Sequence, residues 1–126
     1  MSICTLAVSE DKKYILMKVV GDVKSDEMFQ HNIEAHTLAR SLNLRSFLMD
    51  MTKATNVNKV YENYEFIYHK MGKSKEFIPN VRVAIVVRHG DRSHDFIETL
   101  ANNAGKRLRK FQDMQETVHF LMKQQE

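Results

Sequence analysis

The sequence lacks the features that mark secreted, membrane-spanning and disordered proteins. Its 126 residues include one cysteine, Cys4, which cannot form an internal disulfide and fits a reducing compartment. No apolar run reaches the roughly 20 residues needed to span a bilayer. Acidic Glu10 and Asp11 stand where a signal peptide would place its apolar segment. Hydrophobic residues make up 43% of the chain, an ordinary globular value, so we expect a cytoplasmic domain with its own core.

Neither sign of charge dominates the chain. The formal net charge is +3, although basic residues are concentrated between positions 106 and 110. A nucleic-acid-binding domain normally carries a larger basic excess, so we expect no nucleic-acid partner. The length of 126 residues and the absence of repeats, linkers or low-complexity tracts predict a single domain over residues 1–126.

Short β-prone runs alternate with helical patterns along the chain. The strongest periodicity lies between Val57 and Met71, where apolar and tyrosine residues recur at steps of three and four. Strands are predicted at residues 3–8, 14–20, 46–51, 81–87 and 107–111. Helices are predicted at 26–42, at 57–71, from the segment 93–95 to 104, and from 113 onward. In the third helix we expect the inner residues to be Phe96, Ile97, Leu100, Ala101 and Ala104.

Local signals predict where these elements begin and end. Gly21 is expected to stop the second strand, and Asn43 to end the first helix. Ser25 is placed to cap the first helix, and Thr55 or Asn56 to cap the second. Gly72 and Gly105 are further predicted helix ends.

The element order predicts an α/β fold. An opening hairpin is followed by alternating strands and helices, which require crossover connections and parallel strands. We expect a mixed, mostly parallel sheet of about five strands with about four helices. Ligands usually meet the carboxyl ends of such strands, which predicts functional loops beginning at Gly21, Asp50 and Arg88.

The chain resembles the STAS domain, the fold of anti-sigma-factor antagonists. The resemblance rests on the hairpin, the following helix and the strand that closes in Leu48-Met49-Asp50-Met51-Thr52. Gly21-Asp22 and the segment from Gly90 to Phe96 are similar to the divergent SpoIIAA-like branch, which is related in fold to lipid-carrying CRAL-TRIO domains. This resemblance implies a non-enzymatic regulatory module that docks a protein partner or a second copy of itself, without a cofactor.

One departure from the STAS pattern concerns its phosphoswitch. Family antagonists carry a phosphorylatable serine in an Asp-Ser-Ser-Gly-like segment that opens the second helix, whereas this chain has Thr55-Asn56-Val57-Asn58. Thr52 and Thr55 are the remaining hydroxyls that phosphate could occupy. The alternative is that Thr55 or Asn56 only caps the helix.

Asp91, Ser93, His94 and Asp95 form the most suggestive cluster for chemistry. Carboxylates beside an imidazole and a hydroxyl are typical of hydrolases. However, Ser93, His94 and Asp95 are consecutive at a helix start, so their side chains fan out and cannot form a linear relay. The alternatives are a helix cap at Asp91 or Ser93, or an anion-binding loop in which Gly90 and Arg88 take part.

Two further sets of residues are candidates for binding. Asn32, His36 and Arg40 share one stripe of the first helix, so His36 either lines a polar cavity or bonds to backbone. Tyr61, Tyr64 and Tyr68 lie on the inner face of the second helix, where they line a ligand pocket, form a partner interface or pack in the core.

The sequence is compatible with three functions. A docking module predicts an exposed apolar patch, whereas a carrier of a small apolar or amphipathic ligand predicts a cavity behind the second helix. A hydrolase using His94 is the third. The six histidines show no zinc-site spacing, so no metal is expected. The candidate binding residues are Asp50, Thr52, Tyr61, Tyr64, Tyr68, Arg88, Asp91, Ser93, His94 and His36.

Overall fold

The predicted alternation of strands and helices is present in the computed structural model, which describes residues 2–71, 77–104 and 107–123. Within them the second helix is followed directly by a π-helical segment, Phe66–Met71. The predicted helix ends Gly72 and Gly105 lie outside the described residues. The elements are β1 (Ser2–Val8), β2 (Ile15–Val23), α1 (Ser25–Ser41), β3 (Ser46–Asn56), α2 (Val60–Glu65), β4 (Arg82–Val87), α3 (Asp95–Asn103), β5 (Arg107–Phe111) and α4 (Met114–Lys123).

The five described strands form one sheet in the order β1-β2-β3-β4-β5. Strands β1 and β2 are antiparallel, and all other neighbours are parallel. The predicted mixed, mostly parallel α/β fold is therefore confirmed. Because crossover connections share one hand, α1, α2 and α3 cover the same face of the sheet, while α4 covers the other.

Alternating side chains divide the core between these two faces. Met17, Met49 and Ile85 belong to the larger cluster under α1–α3. Leu48 and Val86 belong to a smaller cluster that Leu121 of α4 completes. Residues 84–87 of β4 are buried on both faces, as a central strand requires.

Two strands extend further than their sequences predicted. Gly21 does not end β2, which runs to Val23; it adopts a φ of 109°, just after a register shift between Lys18 and Val20. Strand β3 continues to Asn56 because residues 53–56 pair with residues 20–23 of β2. The loop predicted to begin at Asp50 is therefore wrong, since pairing with β2 keeps this polar segment extended.

The beginnings of α1 and α2 also differ from prediction. Ser25 is the first residue of α1, and its N–H donates to the side-chain oxygen Oδ1 of Asn58 at 2.9 Å. Thr55 and Asn56 lie in β3 and do not cap α2. That helix begins after Lys59, whose N–H donates to Glu62 Oε1 at 2.7 Å.

Other boundaries follow their local signals. Asn43 ends α1 with a φ of 58°, and the N–H of Leu44 reaches back to the carbonyl oxygen of Ala39 at 2.9 Å. In α3 the predicted inner positions hold for Ala101 but are wrong for Phe96, which is 41% exposed, because α3 begins at Asp95 and Phe96 lies at its exposed start. No helix in the described part of the chain is long and apolar enough to cross a membrane.

Candidate functional site

A cavity of about 390 Å³ lies between the sheet and helices α1, α2 and α3. Its volume falls within the usual range for small-molecule sites. Both the sheet and the helices that cover it contribute to the apolar part of its lining. These residues include Met28 of α1, Phe47, Met49 and Met51 of β3, Val83 and Ile85 of β4, Phe66 and Ile67 of the π-helical segment, and Ile97 and Ala101 of α3.

Methionine and phenylalanine give this lining its character. Met28, Met49 and Met51 are unbranched and polarizable, so they adapt to ligands of irregular shape. The π-helical segment supplies Phe66, which is 8% exposed. π-Helical segments are rare in proteins as a whole, but those that occur are often found at functional sites. The lining therefore favours an apolar ligand over a strongly polar one.

His36 forms part of one wall of the cavity. It is 3% exposed and stacks on Phe47 with ring centroids 4.5 Å apart. Its Nδ1 accepts the backbone N–H of Ile78 at 3.0 Å, and Phe77 meets its ring edge to face at 4.9 Å. His36 thus holds residues 77 and 78 against α1 and β3.

The predicted polar stripe on α1 divides between the cavity and solvent. Asn32 and His36 are buried and line the cavity, whereas Arg40 is exposed. The Asn32 amide nitrogen donates to the carbonyl oxygen of Met28 at 2.8 Å. Its amide oxygen has no hydrogen-bond partner among the described residues, so it is available to a ligand donor.

Three asparagines form a hydrogen-bonded chain at the carboxyl edge of the sheet, where they line the cavity. Asn56 Oδ1 accepts from both the backbone and the side chain of Asn58, at 3.0 and 2.9 Å. Asn56 Nδ2 donates to Asn63 Oδ1 at 3.1 Å. Since Asn58 also binds the start of α1, this chain joins α1, β3 and α2 at one end of the cavity.

The loop of residues 88–94, called here the edge loop, closes the part of β3 that extends beyond β4. Arg88 donates to the Thr52 carbonyl oxygen at 3.2 Å, and His94 Nε2 lies 3.3 Å from that of Ala54. Ser93 Oγ accepts the N–H of Asn56 at 3.1 Å. Side chains thus take the place of a neighbouring strand.

The surroundings of His94 favour its neutral form. Burial lowers the pKa of His94 below its usual value and outweighs the opposing effects of the Ala54 carbonyl and the Asp91 charge. Burial alone would raise the pKa of Asp91, but hydrogen bonds from Ser93 and the charges of His94 and Arg88 lower it. The neutral imidazole can therefore donate from Nε2 to the carbonyl oxygen of Ala54. The same nitrogen lies 3.6 Å from Asp91 Oδ2.

The predicted cap at the start of α3 is wrong, since His94 and not Asp91 or Ser93 precedes the helix. Asp91 Oδ1 instead accepts the N–H of Ser93 at 2.9 Å within the loop. Asp95 turns away to Arg92, at 2.9 Å, and to Lys110, and these bonds lower the pKa of Asp95. Ser93 and His94 thus both contact Asp91, whereas Asp95 has separate partners.

Asp50 and Thr52 lie outside the cavity lining. Thr52 donates from both its N–H and its hydroxyl to Asp50 Oδ1, at 3.0 and 2.7 Å. Thr55 accepts from Arg88 at 3.1 Å. Both threonines are on β3, so neither occupies a helix start where a phosphate would be favoured by the helix dipole.

The tyrosines of the second helix are described only in part. The side chains of Tyr61 and Tyr64 fall outside the described structure, while Tyr68 is half-buried and does not line the cavity. Of the candidate binding residues whose side chains are described, His36 and His94 line the cavity. Asn56, Asn58 and Asn63 were missed as site residues; a cluster of amides was their only signal. Across residues 2–71, 77–104 and 107–123 there is no group of three metal-ligating side chains.

These features define an α/β domain with a SpoIIAA-like fold. A similar structure is that of an uncharacterized protein from the DUF3478 family with a SpoIIAA-like fold, from Shewanella loihica PV-4. It has a TM-score of 0.59 and 20% identity, over 95% of this chain and 93% of that one. The predicted STAS or SpoIIAA-like fold is confirmed.

A second solved structure is more distant. The antisigma-factor antagonist STAS domain from Rhodobacter sphaeroides has a TM-score of 0.36 and 13% identity, over 93% of this chain and 91% of that one. No protein-family model matches the sequence, and no curated protein matches it significantly. The structural likeness therefore extends to the fold and not to a function.

Proposed function

We propose that this protein is a non-enzymatic binding module that holds a small, largely apolar molecule in the cavity between its sheet and helices α1–α3. The observation that carries the proposal is the cavity itself, about 390 Å³ lined mainly by apolar side chains. Well-packed domains contain few voids larger than a water molecule, so a volume of this size is typical of a ligand site.

The arrangement around His94 supports a non-enzymatic role. A hydrolase would need the imidazole beside a nucleophile. Here Nε2 is directed at the Ala54 carbonyl oxygen, and the Ser93 hydroxyl accepts the N–H of Asn56. Both groups close the edge of β3.

Native mass spectrometry of the purified protein, followed by denaturing extraction, tests for a bound molecule. A mass excess that disappears on denaturation would support the proposal. The empty protein is then titrated with the neutral fluorophore N-phenylnaphthylamine, whose emission rises in apolar surroundings. We expect saturable binding.

A matched pair of variants locates the binding. Val83 lines the cavity, so Val83→Phe should fill part of it and abolish the fluorescence rise. Val20→Phe makes the same change on β2 at a 40% exposed position and should leave binding intact. Equal titration curves for both variants and the parent would contradict the proposed site.

A second candidate is docking of a protein partner, with self-association as the specific case. Val57 and Phe96 are 38% and 41% exposed and follow Asn56 and the edge loop at the carboxyl edge. Sedimentation velocity would detect a dimer, and Phe96→Lys should dissociate it. A monomer at all concentrations would contradict self-association.

The cytoplasm is the proposed location. Cys4 is half-buried, and burial raises the pKa of its thiol, so it remains protonated and unreactive at neutral pH. A lone protonated thiol fits a reducing compartment. Fractionation of the native host cells tests this location directly.

A further inference from the structure

A second depression, of about 310 Å³, lies at the amino edge of the sheet, where β2, β3, β4 and β5 begin. We call it the basic groove. Its lining includes Lys13, Arg45, Arg82 and Arg107, and no carboxylate is present among the described residues that line it. Four cations around one depression create a local positive potential although the chain as a whole carries only +3.

The basic groove and the cavity are neighbours. Asn80 and Arg107 line both of them. Asn80 has a φ of 59°, a left-handed conformation that asparagine tolerates, and this turn leads directly into β4. A molecule can therefore occupy the apolar cavity and reach the cations of the groove at the same time.

Arg107 is the cation best placed to meet such a molecule. Among the described residues that line the cavity it is the one lysine, arginine, aspartate or glutamate, and the other polar side chains there are amides, a serine and two histidines. Arg107 has no hydrogen bond or carboxylate partner within the described part of the chain. Arg45, by contrast, already donates to the Pro79 carbonyl oxygen at 3.0 Å.

We infer that the ligand is an amphipathic anion, an alkyl chain that carries a carboxylate or phosphate, with its chain in the cavity and its head beside Arg107 in the basic groove. This inference rests on the proposed function. Guanidinium groups bind carboxylate and phosphate through two parallel hydrogen bonds, which makes arginine suited to such a head. A neutral apolar ligand would make no use of the Arg107 guanidinium, which lines both the cavity and the basic groove.

The cavity volume sets the length of the chain. If each carbon needs roughly the 30 Å³ that one water occupies in the liquid, a cavity of about 390 Å³ holds about thirteen carbons, enough for a ten-carbon chain and part of its head. Decanoate, decyl phosphate and decanol are therefore suitable probes, because they share one chain and differ only in the head. The first two distinguish a carboxylate from a phosphate.

Isothermal titration calorimetry of the full chain with the three probes tests the inference. We expect at least one anion to bind about tenfold or more tightly than decanol, as a hydrogen-bonded charge predicts. Added salt should weaken binding of the anion more than that of decanol. The tighter anion identifies the head.

Two variants that remove the same charge test the position of the head. Arg107→Gln should reduce the affinity for the anion about tenfold and leave the affinity for decanol unchanged. Arg92→Gln removes a cation whose side chain is 85% exposed at the opposite edge, and it should have little effect. Circular dichroism checks that both variants fold.

The outcomes separate the inference from the proposed function. If decanol binds as tightly as both anions, the anionic head is wrong while the cavity proposal stands. If Arg107→Gln and Arg92→Gln weaken anion binding equally, the placement beside Arg107 is wrong. If none of the probes binds and N-phenylnaphthylamine also fails, the proposed function itself is wrong.

Discussion

The two faces of the sheet are built on different principles. Under α4 the core is small and closed: Leu121 and Thr117 are fully buried, and Arg109 stacks over the rings of Phe111 and Phe120. None of the described residues in the apolar cluster on that face lines the cavity. Under α1–α3 the same strands border about 390 Å³ and several buried polar side chains.

This difference separates stability from binding. A closely packed face responds strongly to any change of volume, since every lost atom leaves a hole and every added atom creates strain. A face that already borders a cavity tolerates both better. The α4 face is therefore expected to stabilise the fold, while the α1–α3 face provides space for a ligand.

The largest expected effect comes from truncation on the α4 face. Leu121→Ala should lower the free energy of unfolding by about 2–5 kcal/mol, because Leu121 is fully buried. Urea denaturation measures this loss. Leu108→Ala, at a half-buried position that lines the cavity, should cost clearly less, and an equal cost would refute the contrast between the faces.

Enlarging one valine on each face of β4 sharpens the comparison. Val86→Phe should destabilise by about 1–3 kcal/mol, since Val86 is 1% exposed within the α4-side cluster. In Val83→Phe the larger side chain occupies part of the cavity, so the midpoint of thermal unfolding should change little. Thermal unfolding followed by circular dichroism compares the two, and a reversed order would contradict the assignment of the faces.

A smaller effect is expected where side chains close β3. Ser93→Ala removes the acceptor of the Asn56 N–H and a hydrogen bond to Asp91, so stability should fall by about 1–2 kcal/mol. Chemical denaturation measures the loss. Ser93→Thr, which keeps the hydroxyl, is the matched control and should recover most of it.

The smallest effect concerns pH. Burial lowers the pKa of His94, so below the ordinary histidine pKa of about 6.5 the unfolded chain binds a proton that the folded chain excludes. Stability should therefore fall as pH decreases from about 6.5, although Asp91 faces the ring and favours its charge, and Lys110 and Arg88 oppose it.

His94→Gln tests this origin. The variant has no imidazole at this position, so its urea midpoint should change less between neutral pH and pH values near 5. If the variant and the parent lose stability in parallel over that interval, His94 is not the group responsible. Below about pH 4 both should weaken further, because the lowered pKa of Asp91 makes its ionised form stabilising.

Sequence patterns predicted the fold well because they are local. The α/β alternation follows from periodicity within single segments, and Asn43 ends α1 through its own backbone conformation. The errors at the end of β3 and at the start of α1 are tertiary. Strand β3 extends to Asn56 because it pairs with β2. The side chain of Asn58 accepts the first N–H of α1 although it lies 33 residues away in the sequence.

The candidate site was predictable only where a residue was conspicuous by itself. His36 stood out in the polar stripe of the first helix and His94 in the cluster from Asp91 to Asp95, and both line the cavity. The asparagine chain and the shared lining of Arg107 arise from segments that meet only in the folded chain. The predicted cluster of Arg88, Asp91 and Ser93 proved to be part of the edge loop.

The edge loop also bears on solubility. The end of β3 beyond β4 would otherwise present unpaired backbone groups, which are a template for pairing with strands of other molecules. Arg88, Ser93 and His94 occupy those groups with side chains. The strand end beside the cavity is thus protected from pairing with other molecules. Variants in which these three side chains are replaced by alanine should form fibrils or amorphous aggregates under conditions in which the domain is still folded.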